Sequence, residues 1–146
     1  MSVFARARGP WPHRLLSVLR MVSAALFFVH GVQKIFGVPT GSQPPMPFDP
    51  LSQFGAAGIL EFAGGAALFL GVFTRPIAFI LSGEMAVAYF QMHFPRSFFP
   101  ILNGGELPVM FCFVFLLLAA AGGGPWSIDA LIARARHGSA HHTPAP

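Results

Sequence analysis

Four long apolar runs, at about 15–36, 51–73, 76–94 and 106–121, constrain this chain more than any other feature. Crossing about 30 Å of hydrocarbon takes roughly 20 residues of helix, and these runs carry few charges over that length. Turn and cap residues separate them. Asp49-Pro50 offers an N-cap and a first-turn proline to the second run, and Thr74-Arg75-Pro76 divides the second from the third. Pro95 closes the third, and Asn103-Gly104-Gly105 precedes the fourth, which tolerates Pro108 in its first turn. Composition agrees: 54% of residues are hydrophobic, 10% are charged and mean hydropathy is +0.63, outside the usual soluble range. The expected fold is an all-α membrane protein, a bundle of four transmembrane helices whose phenylalanines face lipid and whose glycines allow close helix approach. At about 1.5 Å per residue the fourth run is short, so either "SFFPIL" before it dips into the membrane or the bilayer thins around it.

Flanking charge orients the bundle. Arg6, Arg8 and Arg14 precede the first run, Arg75 lies between the second and third, and Arg134 and Arg136 follow the fourth. The opposite loops hold Arg96, so the positive-inside rule puts both termini in the cytoplasm. The same arginines account for the formal charge of +4 without nucleic-acid binding. A signal peptide is the competing reading of the N-terminus, and Arg20 within a short apolar segment argues against it.

The expected organisation is a basic N-terminus (1–14), a membrane domain (15–121), an interfacial helix (122–137) and a disordered tail (138–146). "WSIDALIARAR" is amphipathic, with Ser127 as its cap, Trp126 at the interface and the arginines towards headgroups. The 37–55 connection, with Pro39, Pro44, Pro45, Pro47 and Pro50, is long for a helix link and reads as a lid or as disorder. Met46, Phe48, Leu51 and Phe54 favour packing. Cys112 has no intrachain partner, and His141 and His142 fit a solvated tail better than a metal site.

Polar residues gather at one depth. His30 and Lys34 lie near the outer end of the first run, Glu61 in the outer half of the second, and Gln91 and His93 near the outer end of the third. Asn103 and Glu106 open the fourth, and Glu84 sits deeper, near the middle of the third. Charges in hydrocarbon cost several kcal/mol each, so these should face one another or a water-filled cavity. Helical spacing fits: His30 and Lys34 share a face at i, i+4, and Glu84 and Gln91 at i, i+7. The picture is an outward-facing polar pocket lidded by the proline-rich loop. Other readings stay open. Lys34 and Arg20 could snorkel to headgroups, Asn103 and Glu106 could be cap and first-turn residues, and His93 could be interfacial. Glu61 and Glu84 must pair with Lys34, Arg20 or a histidine, stay neutral, or serve a ligand or proton path.

"HGVQK", "EFAGGAALFLGVFTRP", "MAVAYFQMHFP", "FFPILNGGELPVMFCF" and "GPWSID" occur in that order, and over residues 15–132 the chain resembles the DoxX family of small four-helix membrane proteins. Many relatives have Gly-Pro-Gly where this chain has Gly124-Pro125-Trp126. The motif positions that carry over are His30, Gly31, Lys34, Glu61, Gly64, Gly65, Arg75, Met85, His93, Asn103, Gly104, Glu106, Ser127 and Asp129. The resemblance implies a multi-pass protein of the bacterial inner membrane, associated with quinone-linked oxidation or with complexes for oxidant or thiol stress.

The leading expectation is therefore an oxidoreductase subunit without its own redox cofactor, whose pocket takes a quinone head group or another small polar ligand. Its electrons would come from a soluble or membrane redox partner, because the chain has no flavin or nucleotide fingerprint and no CxxC pair. His30, Lys34 and His93 would hydrogen-bond reduced oxygens, while Glu61, Glu84 and Glu106 would exchange protons. One alternative is a haem between His30 and His93, or a transition metal on His and Glu ligands. Another is a small-molecule transporter, requiring a homo-oligomer for alternating access, or a scaffold recruiting partners through Trp126 to Arg136.

Overall fold

The computed structural model describes residue 9 and residues 11–40 and 46–139. Among these the chain is all-helical, with no strand. Helix α1 spans Trp11–Phe36, α2 Gln53–Leu70 and α3 Thr74–Ala88, which runs on through one π-helical turn at Tyr89–His93. A short α4 (Pro100–Asn103) precedes α5 (Glu106–Ala121), and α6 covers Ile128–Ser139. By length and composition α1 and α2 can each cross a membrane; α5 is apolar and shorter.

Local chemistry sets the helix ends. Ser52, rather than Asp49, caps α2: its Oγ accepts the Gly55 N–H at 3.0 Å, while the Asp49 carboxylate takes the Leu51 N–H in the preceding turn. At the other end Gly71 adopts φ 73°, and the Gly71 and Val72 N–H groups return to the carbonyls of Leu68 and Ala67, both at 3.0 Å. That Schellman ending stops α2 short of Phe73, where the apolar run alone would have carried it. Helix α3 starts at Thr74, before Pro76, because a distant side chain serves its first amides. The Asp129 carboxylate accepts the N–H groups of Phe73 and Thr74 at 2.9 and 2.8 Å.

Helix α1 packs along α2 and α3 along α5, and contacts of α2 with α3 and α1 with α5 complete the arrangement. Between them lies one apolar core: Ala24 and Phe27, Leu68, Ala78, Leu81 and Met85, Phe111, Phe115 and Leu118. Phe27 meets Phe111 and Phe115 edge-on, with centroids 5.2 and 4.8 Å apart. The outside is as apolar as the inside. Leu15, Val22 and Leu26 on α1, Ile59 and Phe69 on α2, Phe79 and Ile80 on α3, and Met110, Phe113 and Leu117 on α5 are all exposed. Surfaces of that kind mark contact with lipid or partners.

Arg20 does not snorkel. It is fully buried, and its guanidinium donates to four backbone carbonyls: Gly123 O at 2.9 Å, Trp126 O at 2.6 Å, and Leu68 O and Phe69 O. Two of these are carbonyls of the last turn of α2, where the i+4 amides run out; Leu68 O is shared with the Gly71 N–H. The other two belong to the turn that leads into α6. Ser17 Oγ accepts the Trp126 N–H at 3.2 Å, the Asp129 N–H donates to Gly71 O at 3.0 Å, and Ser127 Oγ accepts the Ala130 N–H to open α6. The sequence motif "GPWSID" thus clasps α1, the α2–α3 corner and α6 together. Helix α6 includes Gly138 and Ser139, which sequence reasoning assigned to the tail. The remaining tail with His141 and His142, residues 1–8 with Arg6 and Arg8, and residues 41–45 with Pro44 and Pro45 lie outside the described residues.

An Arg20→Met variant keeps the bulk and loses every donor, so charge-assisted hydrogen bonds worth about 1.5–3 kcal/mol apiece disappear. Thermal unfolding of the detergent-purified protein should show a large loss of stability, with Arg20→Lys intermediate. Wild-type stability in Arg20→Met would refute the clasp.

Candidate functional site

The candidate site starts from glycines. A Cβ on Gly31 would lie 2.3 Å from the Phe62 nitrogen, and one on Gly65 would lie 2.9 Å from Phe28 Cα, so α1 and α2 touch backbone to backbone. Gly58 leaves the room that the Lys34 side chain fills. Small residues at a helix crossing permit this approach and bring long side chains on either side within reach. Lys34 consequently meets Glu61, with Nζ 2.5 Å from Oε1. The Glu61 side chain is 3% exposed and that of Lys34 24%. Lys34 therefore points into the bundle, not along lipid, and its partner is Glu61 and not Glu106.

This pair is only half satisfied. Among the described residues, Glu61 Oε2 and both carboxyl oxygens of Glu84 are buried without a hydrogen-bond partner. Native structures rarely leave such atoms unserved, and an orphaned carboxyl group points to a missing ligand, ion or water. Glu84 also lies within the electrostatic influence of both Glu61 and Lys34, so the three side chains act on one another.

Two cavities share these groups. The larger, about 550 Å³, lies between α2 and α3 and is lined by Lys34, Glu61 and Glu84 at its polar wall. Met46, Phe54, Leu60, Ile80, Val87 and Met92 supply apolar lining. Leu60, Ile80, Val87 and Met92 are also exposed on the outer surface, so this cavity opens sideways through the apolar face. Met46 and Phe54 place the end of the 37–55 connection against it, as a lid would be; Leu51, in contrast, is 95% exposed. The smaller cavity, about 180 Å³, is lined by His30, Lys34, Glu61, Met85, Ala88, His93 and the α5 residues Leu107, Pro108 and Phe111. Lys34, Glu61, Met85 and Ala88 are common to both.

The structure brings His30, Lys34, Glu61, Glu84 and His93 together around these cavities. Gln91, Asn103 and Glu106 line neither. Gln91 is exposed and accepts from Gln53 Nε2 across the cavity mouth. The π-helical turn explains its position: an extra residue in the turn rotates the later residues by about 100°, which takes Gln91 off the Glu84 stripe. His93 then joins Met85 and Ala88 on the inner face. Asn103 braces its own turn, with Nδ2 donating to Ser97 O and Oδ1 accepting the Gly105 N–H, both at 2.7 Å. Its carbonyl takes the His93 Nδ1 contact at 3.0 Å. Since that carbonyl is only an acceptor, Nδ1 is the donor in this contact. Glu106 is exposed in the first turn of α5. The small cavity is too confined for a porphyrin between His30 and His93, and no three His, Cys, Asp or Glu side chains among the described residues form a metal-sized group.

Comparison with known proteins covers the same residues. Residues 15–94, more than half of the chain, match the sequence model of DoxX. The chain belongs to the DoxX family. It is 42% identical over 120 residues to an uncharacterized protein of Haemophilus influenzae, covering 78% of this chain and 87% of that one. A second uncharacterized protein of the same organism is 29% identical over 128 residues, covering 80% and 82%. No solved structure matches. The resemblance read from "HGVQK" onward is thus borne out, and this DoxX protein is a membrane protein. Arg20, Ser17 and Thr74 are what sequence reasoning missed, because Arg20 and Ser17 bind backbone groups distant in the chain and the Thr74 amide is served by the distant Asp129 carboxylate.

Breaking the buried pair should cost more than removing it. Lys34→Met alone leaves Glu61 uncompensated, at a cost of about 3–5 kcal/mol, whereas Lys34→Met with Glu61→Leu should recover much of that loss. A double-mutant cycle on unfolding in detergent checks this. Gly31→Ala should destabilise the α1–α2 seam by about 1–3 kcal/mol. Gly83→Ala, where an added Cβ meets nothing within 4 Å, should be neutral or stabilising.

Proposed function

We propose that this DoxX protein is the integral membrane subunit of a quinone-linked oxidoreductase or oxidant and thiol stress system, and that the α2–α3 cavity holds the quinone head group. In this reading α1, α2, α3 with its π-helical turn, and α5 span the bacterial inner membrane, with α6 at the interface and both termini cytoplasmic. The 15 residues of α3 and 5 of the π-helical turn make 20 continuous helical residues, enough for a span. Arg14, Arg75, Arg134 and Arg136 lie at the clasp end and Arg96 at the other, as the positive-inside rule requires.

The observation that carries the ligand assignment is the buried, half-satisfied Lys34–Glu61–Glu84 group at the back of a cavity open to lipid. A ligand that fits both ends has a polar head and a hydrocarbon tail. A quinone head group fits the cavity: its carbonyl oxygens accept from Lys34 or from a protonated carboxyl group, and in the quinol form its hydroxyls donate to the carboxyl oxygens that lack partners. When bound it supplies a two-electron, two-proton acceptor, with the electrons coming from a partner protein. Lys34 donates a hydrogen bond and positive charge to a ring oxygen. Glu61 and Glu84 hold and release protons beside it. His30 and His93 line the small cavity that shares Lys34 and Glu61, and so connect that pair towards the outer end.

The test is titration of the protein in lipid discs with a short-tailed ubiquinone. Saturable binding is expected, weakened at least about tenfold in Lys34→Gln and Glu84→Gln, since a charge-assisted hydrogen bond is worth about 1.5–3 kcal/mol. Glu106→Gln should bind like wild type. Absent binding, or equal binding in all three variants, would defeat the quinone reading and leave a scaffold role, which tolerates these changes.

A further inference from the structure

A third cavity lies at the opposite end of the molecule, outside the site described above. It measures about 570 Å³ and runs between the first turns of α1 and the start of α6. Its rim carries His13, Arg14 and Arg134, while Leu16, Ala121, Pro125 and Ala130 form an apolar floor and Trp126 one wall. The exposed side chains of Leu15, Leu131 and Ile132 continue the apolar surface beside it.

The positive charge here has no acidic counterpart among the described residues. All five acidic side chains of the chain are placed elsewhere. Glu61 and Glu84 are in the α2–α3 cavity, and Asp49 and Glu106 belong to the other end. Asp129 is the acidic residue nearest in sequence, and both of its carboxyl oxygens are taken by the Phe73 and Thr74 amides. Arg14 and Arg134 are exposed and form no ion pair with a described carboxylate, although Arg14 rests over the Trp11 ring at 5.6 Å. Trp11 and Trp126 both sit at this level, the position tryptophan takes where hydrocarbon meets headgroups.

We propose that this cavity binds one anionic phospholipid, its phosphate between Arg14 and Arg134 and an acyl chain along Leu16 and Ala121. Two features separate this from the general attraction of basic residues to a membrane. The cations come from two elements far apart in sequence, and they rim a cavity with an apolar floor. A bound lipid there would bridge α1 and α6 directly over the Arg20 clasp, holding α6 against the bundle. The site makes no use of the quinone cavity.

The delipidated full-length protein is titrated with phosphatidylglycerol and with phosphatidylcholine of the same acyl chains, and bound lipid is counted by native mass spectrometry. One phosphatidylglycerol should bind about 30-fold more tightly than phosphatidylcholine, the preference that two arginines near a headgroup supply. Arg14→Gln with Arg134→Gln should abolish that preference, and Arg96→Gln should keep it. Arg14→Lys with Arg134→Lys should retain part of it, which separates charge from folding. Equal affinity for the two lipids, or a preference that survives the double glutamine variant, would overturn the proposal. Inorganic phosphate that displaces phosphatidylglycerol at millimolar concentration would instead identify a free-anion site and overturn the lipid assignment.

Discussion

The contact of Gly31 with the backbone of Glu61 and Phe62 governs the rest of this molecule. An added methyl group there would overlap main-chain atoms, which have no rotamer by which to move aside. With it absent, α1 and α2 lie close enough that Gly65 meets Phe28 and Gly58 receives Lys34. The same proximity puts a lysine and a glutamate at 2.5 Å, where two more ordinary helices would hold them apart. Helices α3 and α5 complete the core, α5 through Phe111 and Phe115 against Phe27 of α1 and α3 through Ala78, Leu81 and Met85. The thinner α2–α3 side is left to form the large cavity.

Two buried polar groups divide the molecule by how well they are satisfied. Arg20 has an acceptor for each of its donor nitrogens, and all the acceptors are backbone carbonyls. Such a group fixes geometry, with four of its five N–H donors taken by the fold. Around Lys34 the opposite holds, because among the described residues three carboxyl oxygens are buried without partners beside one ammonium group that is paired with the fourth. Such an arrangement is costly unless a partner, a proton or a ligand completes it. The satisfied and the half-satisfied charges therefore occupy opposite ends, with the phenylalanine core between them.

The sequence carried the helical architecture, the family and several residues of the candidate site, for identifiable reasons. Hydropathy and punctuation located the helices because apolar length and Pro or Gly breaks are local properties. The His30 and Lys34 spacing was readable because i, i+4 neighbours share a face in any helix. Three things were not legible. The π-helical turn at Tyr89–His93 leaves no fixed mark in sequence, so Gln91 was assigned to a face it does not occupy. Arg20 looked like a snorkelling side chain because its partners are carbonyls, and every residue has one. Asp129 looked like part of an amphipathic helix, whereas it caps α3 from 55 positions away. Asn103 and Glu106 belong to their own turns, which the cap reading of each had allowed.

A density map of the protein extracted in its native lipids tests the central claim most directly. A flat, ring-sized density is expected within hydrogen-bond distance of Lys34 Nζ and the Glu84 carboxyl group, with a tail leaving between Leu60 and Val87 towards lipid. A cavity holding only an acyl chain, or Lys34 turned out to lipid away from Glu61, would contradict it.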